Sequence, residues 1–209
     1  MLRILIADDH AIVRRGLKDI LLDAFPTAAI AEVCDAEELV QKVIKEQYDI
    51  VITDLSMPGR SGLEALQQIK AYDAKLPVLV LSVYPEEQYG VRVLKAGAAG
   101  YLNKDMAPEE LVTAINRVLS GKKYITPVVA EKLASAVDFH SEKLPHEHLS
   151  DREFEVFKML AVGKSVSEIG DILHLGVTTV STYRSRILAK MNVKANAELT
   201  QYAMEYKLI

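Results

Sequence analysis

Three carboxylates stand where one chain could bring them together: the adjacent pair Asp8-Asp9 and, on a later apolar run, Asp54. Clustered carboxylates repel unless something cationic neutralises them, most simply a hard divalent ion with oxygen ligands. Mg²⁺ is the expected guest. It keeps several waters and combines one or two carboxylates with phosphate oxygens, which points to phosphate chemistry. Asp54 is then a candidate nucleophile for a phosphoryl group. Ser82 and Lys104 add a hydroxyl and an ammonium, the donor types that the other oxygens of a phosphorylated carboxylate require. The competing reading is that these acids cap helices and face water.

The elements that must position these groups can be read from the periodicity. Ile50-Val51-Ile52-Thr53 is apolar on both sides rather than alternating, as expected in the middle of a parallel sheet, and it delivers Asp54 into a turn. Arg3 to Ala7 ends the same way in Asp8-Asp9. A short strand covers about 28–34, Pro77 to Val83 is a fourth, and Gly100 to Asn103 a fifth. Between them run helical patterns. Residues 11–24 place Ile12, Val13, Leu17, Ile20, Leu21 and Ala24 on one stripe; Asp35 caps a helix burying Leu39, Val40, Val43 and Ile44; and Ser61 with Glu64 opens the next. Pro85 and Pro108 start two more. Five βα units predict a doubly wound five-stranded parallel sheet, with the site at its C-terminal edge.

The chain has 209 residues and a net charge of −4. No apolar run approaches the ~18 residues of a membrane span, and Asp8-Asp9 cut short the first apolar stretch, unlike a signal peptide; a cytoplasmic protein is expected. A single cysteine, Cys34, excludes an internal disulfide and is read as a buried small hydrophobe. Residues 1–121 carry 13 basic and 18 acidic side chains, whereas 150–209 carry 8 and 7. In that later part, Arg184, Arg186, Lys190 and Lys194 form a basic stripe, and residues 172–197 hold no acid. A local basic stripe in an acidic protein points to nucleic acid.

Residues 1–121 resemble the receiver domain of bacterial response regulators. The resemblance is carried by Asp8-Asp9, by Asp54 with Met57-Pro58-Gly59, by Ser82, and by Gly100-Tyr101-Leu102-Asn103-Lys104. It implies that Asp54 accepts phosphate from a histidine kinase's phosphohistidine. Asp8, Asp9, Asp54 and the Ser56 carbonyl would surround Mg²⁺, and Lys104 would bind the phosphate. Tyr101 matches the aromatic switch position, with Ser82 as its hydroxyl partner; a plain core aromatic is the other reading.

Residues 122–148 read as a linker, with a helix from Thr126 to Val137 burying Val129, Leu133, Ala134 and Val137. His140, His146 and His148 fit no standard metal-ligand spacing, and His10 and His174 read as ordinary polar positions. From 149 to 209 the pattern becomes helical throughout. Ser150 and Glu153, then Ser165 and Glu168, form capping boxes. Leu175-Gly176 turns into a second helix, Val177 to Met191, which makes a helix-turn-helix pattern. Val177, Val180, Ile187 and Met191 are expected inside. Thr178, Ser181, Thr182, Ser185 and Ala189 face out, flanked by Arg184, Arg186 and Lys190. Small polar groups suit base edges and long basic ones suit phosphates.

This four-helix portion resembles the LuxR-type DNA-binding domain through Leu149 to Val156, Gly163, Glu168-Ile169, Leu173, Thr179-Val180, Ile187, Lys190-Met191 and Ala197-Glu198-Leu199. The whole chain is therefore similar to NarL/FixJ-type response regulators. By resemblance Ser181, Thr182 and Ser185 read bases of double-stranded promoter DNA, with Thr178 and Thr179 beside them. The same resemblance implies that the last helix, through Leu199, Tyr202 and Tyr206, would form a homodimer on activation; closing the core is its other reading. Gly170, Gly176 and Tyr183 depart from the residues the family favours. An aspartyl-nucleophile phosphatase competes, but its Asp-x-Asp belongs on the first strand, where this chain has adjacent acids. A regulator controlled by a protein partner, with Asp54 never phosphorylated, is the third reading.

Overall fold

The computed structural model describes residues 1–57, 61–135 and 144–209. The features expected at Pro58-Gly59, Val137 and His140 lie outside the described residues. The chain divides into two compact units, Met1–Asp138 and Phe139–Ile209.

In the first unit strands and helices alternate: β1 Arg3–Ala7, α1 Ala11–Ala24, β2 Ala29–Val33, α2 Ala36–Lys45, β3 Ile50–Thr53, α3 Gly62–Tyr72, β4 Val78–Ser82, α4 Glu86–Lys95, β5 Gly100–Asn103 and α5 Ala107–Leu119. All four strand pairings are parallel, in the order β2-β1-β3-β4-β5. The central strands are buried on both faces, as their unbroken apolar runs require. Ile4, Ile6, Ile50, Ile52, Leu79 and Leu81 share one core with Leu111, Ile115 and Val118 of α5. Each such side chain contributes about 1.5–3 kcal/mol on burial. Helix starts follow the predicted caps: Asp35 accepts from the Glu38 amide at 2.7 Å and Ser61 from that of Glu64 at 3.2 Å.

Of the side chains expected inside, Ile12, Ala24, Ile44 and Cys34 are exposed. Ile12, in the first turn of α1, is 88% exposed, because that turn begins only after the strand has ended in the acidic pair. Ile44 is exposed because Leu39 and Val43 already fill the buried stripe of α2. Cys34 is exposed too, since burial ends with Val33 and the chain then turns towards the Asp35 cap.

The front of the expected linker belongs to this unit. Tyr124 forms a parallel bridge with Gly100, and α6 Pro127–Ser135 packs on α4. Val129 is buried, Leu133 is half-buried and Ala134 is exposed, so the apolar stripe is narrower than expected.

The second unit contains a 3-10 turn Pro145–His148, α7 Asp151–Ala161, α8 Val166–Leu173, α9 Val177–Met191 and α10 Asn196–Glu205. The back of the linker is thus folded here, where His146 Nδ1 lies 2.8 Å from Tyr202 Oη. Both capping boxes form, at Ser150/Glu153 and Ser165/Glu168. Helix α8 stops at His174 in the left-handed region, φ 53°. A Cβ on Gly170 would lie 2.8 Å from the Leu175 carbonyl oxygen, so this glycine allows the turn to approach α8 closely. Gly170→Ala should lower thermal stability: the gain in helix propensity, up to ~1 kcal/mol, is outweighed by an overpacking strain of about 1–3 kcal/mol. A raised melting temperature would contradict that balance.

Candidate functional site

Pairing β1 with β3 puts the residues that follow them side by side, and the Asp54 amide donates to the Ala7 carbonyl at 2.9 Å. Asp8 and Asp54 are almost fully buried. Ser82 closes β4 on the far side of β3, and Lys104 follows β5. The topology therefore converts four distant stretches into one pocket at the sheet's C-terminal edge.

Lys104 Nζ lies 2.7 Å from both Asp8 Oδ2 and Asp54 Oδ2. Asp54 Oδ1 accepts from the Leu55 amide at 2.6 Å. Burial pushes the Asp54 carboxyl above its ordinary value, although Lys104 pulls against that. For Lys104, burial pulls down, but Asp54 and Asp8 outweigh it and the ammonium is held above its usual range. Asp8 Oδ1 accepts from the His10 amide at 2.9 Å. Asp9 Oδ1 is buried without a hydrogen-bond partner; His10 Nδ1 is 2.7 Å away, but not in hydrogen-bonding geometry. Ligand atoms of Asp8, Asp9, His10 and Asp54 lie within 4.8 Å of one another. The three carboxylates of that group, one with an unsatisfied oxygen, fit a hard divalent cation.

Around the pocket, Tyr84 is a residue the sequence reading passed over: its hydroxyl lies 3.0 Å from Ser56 Oγ, and its amide donates to Ser82 Oγ at 3.3 Å. Tyr101 is buried and donates to the Tyr84 carbonyl at 2.6 Å. Gly62 was also missed as a site residue. Its Cβ would lie 1.8 Å from the Asp54 carbonyl oxygen, so only glycine lets α3 start against the nucleophile's own peptide. His10 was read as ordinary, yet it sits against both acids.

On α9, Thr178, Thr179, Ser181, Thr182, Ser185 and Arg186 are exposed on one helix. Thr182 and Ser185 donate back to the Thr178 and Ser181 carbonyls, at 2.9 and 3.1 Å. Arg184 is half-buried, its Nε donating to Asn196 Oδ1 at 2.8 Å. Lys190 is exposed, and its ammonium is bound to buried Glu153, 2.6 Å away, tying α9 to α7. Val177 corrects the inward expectation, being 53% exposed at the start of the helix. Leu199 is fully buried and belongs to the core, which removes it from any dimer face; Tyr206 remains exposed and Tyr202 half-buried against His146.

Burial raises the Glu153 carboxyl, but Lys190 and Ser150 together hold it below its ordinary 4.5. A carboxyl depressed on folding stabilises the fold above its unfolded value, and that contribution is lost as pH falls through the folded value. Melting of the second unit should therefore drop with acid below about pH 4.5, and Lys190→Ala should flatten the drop. An unchanged acid profile in that variant would refute the coupling.

The chain matches the families described as "Response regulator receiver domain" over residues 4–116 and "Bacterial regulatory proteins, luxR family" over residues 147–203. It belongs to the two-component response regulators. The Response regulator UvrY of Escherichia coli (strain K12) is 37% identical over 209 residues, all of this chain and 96% of that protein. The Oxygen regulatory protein NreC of Staphylococcus carnosus is 36% identical, over all of this chain and 99% of NreC. Among solved structures, RcsB from Salmonella enterica serovar Typhimurium, bound to promoter rprA in the presence of phosphomimetic BeF3-, superposes with a TM-score of 0.65. Its identity is 27%, covering 97% of this chain and 98% of that one. The regulator thus joins a receiver to a LuxR-type DNA-binding domain and is a transcription factor rather than an ordinary enzyme. Among the described residues no helix is long and apolar enough to cross a membrane.

Proposed function

We propose that the regulator is a cytoplasmic, phosphorylation-gated transcription factor that binds two-fold DNA sites as a homodimer. The observation that supports it best is Lys104 bridging Asp8 and Asp54 beside the unsatisfied oxygen of Asp9. An Asp54 carboxylate oxygen attacks the phosphorus of a histidine kinase's phosphohistidine; the phosphorus–nitrogen bond breaks and its electron pair returns to the imidazole. Lys104, 2.7 Å from Asp54, stabilises charge on the transferred group, and Ser82 offers it a hydroxyl. Asp8, Asp9, Asp54 and the Ser56 carbonyl are the residues that would hold Mg²⁺. The ion supplies neutralisation of the charge that gathers on the phosphoryl oxygens. The same pocket would return the phosphoryl group to water, so the receiver acts only on itself.

In the second unit, α9 enters the major groove, with Ser181, Thr182 and Ser185 at base edges and Thr178 and Thr179 at its leading turn. Arg184, Arg186 and Lys190 carry the phosphate contacts, and Lys190 also ties α9 to α7 through Glu153. Arg184→Ala should weaken binding to all sequences and reduce the salt slope by about one. Thr182→Ala should change which bases are preferred, by about 1–3 kcal/mol at one position; equal losses on every duplex would remove its base-reading role.

The acceptor role is tested by intact-mass measurement after incubation with Mg²⁺ and a small phosphodonor. A phosphoryl adduct that disappears in Asp54→Asn supports it. No adduct on the parent chain leaves control by a protein partner as the reading.

A further inference from the structure

We infer that residues 124–135 form a strap on the receiver that phosphorylation of Asp54 releases, lengthening the tether to the DNA-binding unit. The inference rests on the acceptor role proposed above. The strap is fastened at four places. The Tyr124 amide donates to the Ala99 carbonyl at 2.8 Å. Thr126 Oγ1 donates to Glu86 at 2.7 Å. Val129 is buried against Gly90, so close that a Cβ there would lie 2.5 Å from the valine methyl. Lys132 Nζ donates to the Glu87 carbonyl at 2.6 Å. Three of these anchors, Glu86, Glu87 and Gly90, lie on the first turns of α4.

Those turns are joined to the phosphoacceptor pocket by a short hydrogen-bonded path. Ser82 Oγ accepts from the Tyr84 amide, and the Tyr84 carbonyl accepts from buried Tyr101. A phosphoryl group that accepts from the Ser82 hydroxyl draws its oxygen towards Asp54 and, through the bond it accepts, pulls on the Tyr84 amide. The Val83-Tyr84-Pro85 segment then shifts, and Glu86 follows directly. The strap loses its anchors because they are the start of the helix the pocket moves.

The consequence is a matter of chain length. With the strap fastened, the chain between Ser135 and Leu144 spans nine residue steps, at most about 30 Å. With it released from Tyr124 onward, twenty steps are available, up to about 70 Å. The short tether restricts how two DNA-binding units can meet on one duplex, and the long one relaxes that restriction.

Hydrogen exchange of the full chain tests this, read at residues 124–135 with and without acetyl phosphate and Mg²⁺, the adduct being followed by intact mass. Protection should be high without the donor and fall at least tenfold once the adduct forms. Thr126→Val, at a half-buried position, and Lys132→Ala, at an exposed one, should each raise its exchange several-fold without any donor. An adduct with unchanged strap protection overturns the release while leaving the acceptor role standing. Absence of an adduct overturns both, and a strap unprotected from the outset overturns the fastening itself.

Discussion

Lys104→Ala is expected to destabilise the receiver by about 3–5 kcal/mol when divalent ions are chelated, because it leaves buried carboxylates without their cation. The lysine side chain is 10% exposed and spans Asp8 and Asp54 at 2.7 Å each, so water cannot replace it cheaply. Mg²⁺ should recover much of the loss, since an ion that binds only the folded pocket stabilises it by ~2.7 kcal/mol at a hundredfold excess over its dissociation constant. Thermal melts of parent and variant, in chelator and in millimolar Mg²⁺, make the comparison. A variant as stable as its parent in chelator would mean that the acids are neutralised by protonation instead. One whose melting ignores Mg²⁺ would mean that the three carboxylates do not form an ion site.

Gly62→Ala should be the most damaging single methyl in the receiver. The added carbon would occupy the Asp54 carbonyl, 1.8 Å away, and the glycine amide itself donates to the Leu55 carbonyl at 2.8 Å. Either α3 moves away from β3 or the Asp54 peptide rotates. Overpacking against backbone of this kind costs about 3 kcal/mol or more. Phosphoryl uptake at Asp54 should fall at least tenfold even in the fraction that remains folded, since the nucleophile's own peptide has shifted. Circular dichroism gives the folded fraction and intact mass the uptake. Normal uptake with normal stability would show that the loop carrying Ser61 absorbs the methyl without touching Asp54.

These two residues show where the sequence was informative. Lys104 could be assigned to the pocket from its place at the end of a strand-like run, because five apolar runs of parallel-sheet type bring every strand end to one edge. The caps at Asp35, Ser61, Ser150 and Ser165 were equally legible, since the donor and acceptor lie three residues apart and need no tertiary context. Gly62 was visible only as part of a capping box; its closeness to Asp54 depends on how α3 meets β3. Glu153 was readable as a cap but not as the partner of Lys190, because that pair joins two helices distant in sequence. Ile12 and Val177 failed for a related reason. Periodicity assigns a face to a whole helix, whereas first turns can extend past whatever the helix packs on. His10 offered no spacing signal at all, as its contact with the acids follows from the turn between β1 and α1.

The central claim, that chemistry at Asp54 governs DNA binding by α9, is tested most directly by selecting fragments from random duplex DNA with the full chain. Selection is run in Mg²⁺, with and without a small phosphodonor. Enrichment of an inverted repeat only with the donor, absent in Asp54→Asn, is the predicted result. Equal enrichment in both conditions would contradict the gating, and no enrichment in either would contradict the DNA-reading role given to α9.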